Sequence, residues 1–169
     1  FFATSPTNFW KRWHISLSTW VRDYLYFPLA FKHRKSDVVV YSSLMISMIL
    51  MGLWHGASWN FLIWGGIHGI FLATHTILRR RYPGITLHPF FQKNIGKLFS
   101  IVITQYLIFF TFIAFRVKDF DHMLYSMNKY IFIDFATTKT IEIIRENEFA
   151  ISLMVLFAAL HFISFKQGN

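Results

Sequence analysis

His55 lies in Gly52-Leu53-Trp54-His55-Gly56-Ala57-Ser58-Trp59-Asn60, where a long uncharged run gives way to a second one. Imidazole titrates near neutrality, so a histidine held there can accept a proton from a hydroxyl. Glycines on both sides let a backbone or ligand approach closely, and Trp54 and Trp59 can wall a pocket. The same residues also suit a merely structural histidine. A second imidazole, His14, sits in Phe9-Trp10-Lys11-Arg12-Trp13-His14-Ile15-Ser16-Leu17-Ser18. With Arg22, Lys11 and Arg12 offer cations to the phosphates of a soluble donor arriving from the cytoplasm. An amphipathic helix that holds lipid headgroups would carry the same residues.

The other histidines read differently. His68 adjoins Gly65, Gly66 and Gly69, a small-residue face suited to close helix packing and an interhelical hydrogen bond. His161 stands alone on an apolar helix, and His75 lies one turn from the Arg79 cluster; both read as structural. His33, His88 and His122 fall in loops and carry no signal.

These groups must be positioned by membrane-embedded elements. Hydrophobic residues make up 54% of the 169 and charged residues only 15%, against about 25% charged in a soluble domain. The chain lacks the polar surface of a soluble globule. A net charge of +9 would suggest nucleic acid in a soluble protein. Here the basic residues cluster between apolar runs, as the positive-inside rule requires, and nucleic-acid binding is excluded. There is no cysteine, which removes thiolate metal sites and a cysteine nucleophile. The start at Phe1, without a methionine or signal sequence, reads as an internal or C-terminal piece of something longer.

Four segments are long and apolar enough to span a bilayer: 38–54, 59–78, 98–115 and 149–165. Lys32, Arg34 and Lys35 precede the first. Arg79, Arg80, Arg81, Lys93 and Lys97 follow the second, on the same side after two crossings, which makes that side cytoplasmic. Residues 116–148, with five basic and six acidic side chains, then fall outside. Residues 120–148 read as short interfacial helices and loops on that side. Residues 6–28 differ from all of these. Ser5-Pro6 supplies an N-cap and a first-turn proline, and Phe9, Trp13, Leu17, Trp20 and Tyr24 recur at helical spacing. Their charges predict an interfacial or re-entrant helix on the cytoplasmic side, ended by Pro28. The expected fold is all-α, a polytopic helical bundle.

Two segments carry a resemblance. Asn8 through Ser18, with Arg22-Asp23-Tyr24-Leu25-Tyr26 and Pro28-Leu29, resembles a signature of the membrane-bound O-acyltransferase (MBOAT) family. So do Leu53-Trp54-His55-Gly56-Ala57, Trp59-Asn60-Phe61 and Trp64-Gly65 through His68-Gly69, and Phe115-Arg116 is similar to a further segment. The similarity points to the bacterial branch of alginate, peptidoglycan and teichoic-acid acylation. It covers about a quarter of the chain. It implies that residues 1–169 form the C-terminal part of a single MBOAT domain whose tilted helices surround a tunnel. It implies that His55 is the catalytic histidine and that His14 is a second characteristic one. It implies a multi-pass protein of the bacterial inner membrane with no permanently bound cofactor. A cytoplasmic acyl thioester, expected to be acetyl-coenzyme A, would meet a hydroxyl of an extracytoplasmic polymer or a periplasmic acceptor protein.

In that chemistry His55 takes the hydroxyl proton. Asn60 or a backbone N–H near Gly56 stabilises the oxyanion, and Trp54, Lys11, Arg12 and Arg22 contact the donor. Two rivals come from other classes. His55 and His68 are thirteen residues apart and could ligate a b-type haem, although Gly56-Ala57-Ser58 predicts a break between them. A transporter or assembly subunit could line a path with histidines.

Overall fold

The computed structural model describes residues 2–31, 35–86, 88–132, 145 and 148–167. They are helical, without a strand among the described residues. Three helices are long and apolar enough to cross a membrane: α4 (Asp37–His55), α5 (Trp59–Arg81) and α8 (Asn94–Arg116). Each extends past the uncharged run that predicts it, because charged side chains at helix ends reach the interface without ending the backbone ladder. Asp37 sits in the first turn of α4 and Arg79, Arg80 and Arg81 in the last turn of α5, as the helix dipole favours. Arg80 also bonds Asp37 at 2.8 Å, which places the start of α4 and the end of α5 on one side. Lys32 and Arg34, expected on that side, lie outside the described residues.

Helices α4 and α5 form the closest pair in the molecule. A Cβ on Gly52 would meet the Phe61 carbonyl oxygen, and one on Gly65 would meet that of Met48. With hydrocarbon on every side, helix association depends on such close contact rather than on expelling water. Helix α8 returns antiparallel along α5, starting at Lys93 and Lys97 on the basic side.

Residues 6–31 are not the single helix that their periodicity predicts. They form α1 (Pro6–Trp10), α2 (Ile15–Val21), a π-helical turn (Arg22–Tyr26) and α3 (Phe27–Ala30). Ser5 caps α1 through its hydroxyl, which accepts from the Asn8 amide at 3.2 Å. The chain reverses at His14, whose φ of 44° is the only positive value outside glycine among the described residues. The π-turn has a local cause. Pro28 has no N–H and its ring crowds the carbonyl four residues back; widening the preceding turn relieves this and lets the helix continue to Ala30. Thr7 bonds His75 and Trp10 bonds His68, one higher than the other along α5. The segment therefore climbs α5 from the basic end and descends along α4: it is re-entrant.

Two short helices, α6 (Pro83–Thr86) and α7 (Pro89–Gln92), link α5 to α8. Beyond α8, α9 (Phe120–Ile131) folds back along it instead of lying flat as an interfacial helix. Tyr106 and Tyr130 each donate a hydroxyl to the other's backbone carbonyl at 3.1 Å, about two to three turns below the end of α8. Met123 and Met127 bury the apolar stripe of α9 in the core formed by Phe9, Trp10, Met51, Trp64 and Ile108.

A second unit, Ile131–Asn169, stands by itself. Its helix α10 (Glu148–Gln167) takes in the fourth expected span. The His161 side chain lies outside those described.

Candidate active site

His55 is the last residue of α4, and extended backbone at Gly56 carries the chain away from it. Its half-buried ring stands in an aromatic cage. Trp64 and Phe115 each meet it edge to face with centroids 5.2 Å away, and Phe61 lies at 6.2 Å. Trp54 touches it at 5.1 Å but is 66% exposed, and Trp59 points outward as well. The wall thus comes from the second turn of α5 and the end of α8, not from the two tryptophans beside it in sequence. Neither ring nitrogen has a hydrogen-bond partner among the described residues. The Trp64 indole N–H, buried in the same cage, has none either, and a buried polar group without a partner calls for a ligand or an explanation.

The structure puts His14 and His55 toward the same end of α8: Trp13, next to His14, packs on Phe112 at 5.7 Å, and Phe115, about one turn on, packs on His55 at 5.2 Å. His14 is exposed at the tip of the re-entrant segment, and its carbonyl accepts from the Ser18 amide at 2.9 Å. Left-handed backbone at a non-glycine residue is strained and persists where surrounding structure imposes it. Here the imposing contacts are the Phe9–Trp13 stack at 5.8 Å and Trp13 against Phe112 at 5.7 Å.

His68 has a different environment. It is fully buried, and its Nδ1 accepts from the Trp10 indole N–H at 3.3 Å. Its Nε2 lies 3.0 Å from the Thr111 hydroxyl, which donates to the Ile108 carbonyl at 2.7 Å. With Nδ1 accepting and the hydroxyl proton committed, Nε2 must carry the proton. His68 is therefore a neutral imidazole in a fixed tautomer that ties α1, α5 and α8 together. Both nitrogens are taken, so the pair of axial ligands that a haem reading needs is not on offer. Among the described residues, no group of three or more histidine or acidic side chains could hold a metal ion.

Asn60 is buried, and its amide nitrogen donates to the carbonyls of Val117 and Lys118 at 2.7 and 3.2 Å. Both amide protons are used, so Asn60 pins the end of α8, and with it Phe115, rather than facing an oxyanion. Arg22 grips Asp23 through Nε at 2.7 Å and Nη2 at 3.1 Å; this hydrogen bond holds the Asp23 carboxyl below its usual range. Lys11 and Arg12 are exposed.

Between the two limbs of the re-entrant segment and α4 lies a cavity of about 410 Å³. Lys11 and Arg22 line it, as do Ser47, Met48 and Met51. Met51, one turn below His55, and Ile15, next to His14 in sequence, belong to its wall, while the two histidines do not. Arg12 is not part of its wall. The Ser47 hydroxyl is buried there without a partner. Sequence reasoning missed Ser47, Phe61, Trp64 and Phe115 as site residues. Ser43 and Ser47, both 2% exposed, stand four apart on one face of α4; small polar residues in that register mark an inward face. Nothing comparable in the sequence pairs Phe115 with His55.

Residues 2–117 match the family model described as MBOAT, membrane-bound O-acyltransferase family. A probable alginate O-acetylase of Pseudomonas aeruginosa is 34% identical over 170 residues, covering 99% of this chain and 30% of that protein. A peptidoglycan O-acetyltransferase of Helicobacter pylori is 38% identical over 72% of this chain and 22% of its own length. A teichoic acid D-alanyltransferase of Streptococcus thermophilus is 31% identical over 68% of this chain and 31% of its own. The chain spans less than a third of the length of each of these curated relatives.

Proposed function

The chain belongs to the membrane-bound O-acyltransferase family, in its alginate O-acetylase-like branch, and we propose that it carries the acyl-transfer site of such an enzyme. The donor is an acyl thioester from the cytoplasm, acetyl-coenzyme A in the first instance. The acceptor is a hydroxyl on an extracytoplasmic polymer or on a periplasmic protein that passes the acyl group on. The protein is a multi-pass component of the bacterial inner membrane.

One observation supports this above the rest: the His55 ring has no hydrogen-bond partner among the described residues, is caged by Phe61, Trp64 and Phe115, and ends the helix whose Ser47, Met48 and Met51 line the cavity. The donor lies in that cavity with its phosphates toward Lys11, Arg22 and the nearby Arg12, and its acyl end toward Met51. A nitrogen of His55 takes the acceptor's hydroxyl proton as the oxygen attacks the thioester carbonyl. The tetrahedral intermediate then expels the thiolate, which recovers the proton from His55. This chain has no cysteine to hold the acyl group, which leaves direct transfer, as written here, or a transient acyl-histidine. Two donors remain for the oxyanion: the Trp64 indole N–H and the backbone N–H of Gly56. His14 adds a polar group at the same end and assists in orienting the acceptor. Trp54 closes the exposed side.

The test is His55→Ala in the full-length protein, with transfer from labelled acetyl-coenzyme A as the readout. General-base loss predicts a fall of about 10²–10⁴-fold at unchanged expression. Retained transfer would sink the assignment.

A further inference from the structure

On the other face of α1 is a second cavity of about 660 Å³, enclosed by the base of α1, the end of α5 and the start of α8. Three cations line it: Lys11, Arg79 and Lys97. None has a carboxylate partner among the described residues, whereas Arg22 pairs with Asp23 and Arg80 with Asp37. Thr7 and His75, bonded at 2.8 Å, fix α1 to α5 at its back and keep the space open. Further from the basic end, Phe99, Ile103 and Leu107 of α8 make an apolar wall. Leu107 is about 15 Å along the helix from Lys97, at 1.5 Å per residue.

Charge and apolar wall are stacked along the spanning helices in a definite order. Three cations sit at the basic side, and the apolar face runs toward the bilayer centre. An anionic phospholipid has the same order, with its phosphate at the headgroup level and its chain inward. A free phosphate would use only the cations and leave the wall bare. We infer that this cavity binds one anionic phospholipid, with its phosphate held by Arg79, Lys97 and Lys11 and one acyl chain laid against Ile103 and Leu107. His55 and Arg22 are not part of this cavity, but Lys11 lies between it and the proposed donor cavity, so the test rests on Arg79 and Lys97, which only this cavity uses.

Native mass spectrometry tests it on the full-length protein released from nanodiscs of equal parts phosphatidylglycerol and phosphatidylcholine. One phosphatidylglycerol should be retained in preference. The double variant Arg79→Gln, Lys97→Gln should lower that retention about tenfold, the loss expected when charge-assisted contacts to a phosphate are removed. The charge-conserving pair Arg79→Lys, Lys97→Arg should keep it, and Ile103→Asn should weaken it. Equal retention of both lipids overturns the inference, as does undiminished binding by the neutral double variant or loss in the charge-conserving one. Displacement of the lipid by inorganic phosphate or by coenzyme A would show a site for soluble phosphates and overturn it too.

Discussion

His55 and His68 lie thirteen residues apart and touch the same ring, Trp64, yet the fold treats them in opposite ways. His68 has both nitrogens committed, one accepting from Trp10 and one donating to Thr111. His55 has neither. The side chains around the two are equally aromatic, so burial among apolar rings does not distinguish a working histidine from a structural one. What distinguishes them is the supply of hydrogen-bond partners. A buried imidazole whose bonds are complete has no capacity left for a substrate, and one that is caged but unsatisfied does.

Perturbing the two residues in parallel is the most direct way to break this comparison. Removing the His55 imidazole should abolish transfer, by about 10²–10⁴-fold, while the melting temperature in detergent stays within about 2 °C of the parent; a collapse of stability would make His55 a second staple. His68→Ala should do the reverse, with stability falling by about 2–4 kcal/mol from lost packing and two broken bonds, measured by denaturant titration. An unchanged unfolding midpoint would contradict the staple role. Asn60→Leu sharpens the contrast at intermediate size. It frees the end of α8 and loosens the Phe115 wall, so transfer should drop about tenfold with a stability loss of about 1–2 kcal/mol. If transfer instead fell as far as in His55→Ala, Asn60 would be acting on the reacting atoms. The smallest effect belongs to Thr111→Val. Interhelical bonds of this kind average about 0.6 kcal/mol, so a shift near that size is expected, with transfer unaltered.

The spans were legible in the sequence because a membrane leaves so few options. An uncharged run of the right length must be a helix, and the basic loops orient it. The Arg80–Asp37 contact puts the flanks of the first two runs at one end of their hairpin. His14 and His55 stand out in the sequence by type and motif, and that both lie toward one end of α8 is a property of the fold. What could not be read was the break between them. The aromatic stripe from Phe9 to Tyr24 keeps helical spacing across the reversal, and no glycine or proline marks residue 14. The contacts that impose the left-handed backbone, the Phe9–Trp13 stack and Trp13 against the distant Phe112, leave no mark at residue 14 itself. The fold-back of α9 was hidden for a related reason. Its charges read as an interfacial helix, and the pairing of Tyr106 with Tyr130 depends on a register that periodicity does not carry. Asn60 was misread because its neighbours in sequence are the motif, while its partners Val117 and Lys118 are nearly sixty residues away.

The climb of the re-entrant segment along α5 has a consequence for how the protein is made. Residues 6–31 leave the ribosome before α4 and α5, but Thr7 and Trp10 find their partners only on α5. Helices α4 and α5 need just three residues between them and close on each other as soon as both have entered the bilayer. Until α5 is made, those two side chains lack these partners, so this docking is completed only after the later helices exist. Biogenesis here runs against the order of synthesis. The α4–α5 hairpin has its own contacts, and the earlier piece of chain depends on α5 for its anchors at Thr7 and Trp10.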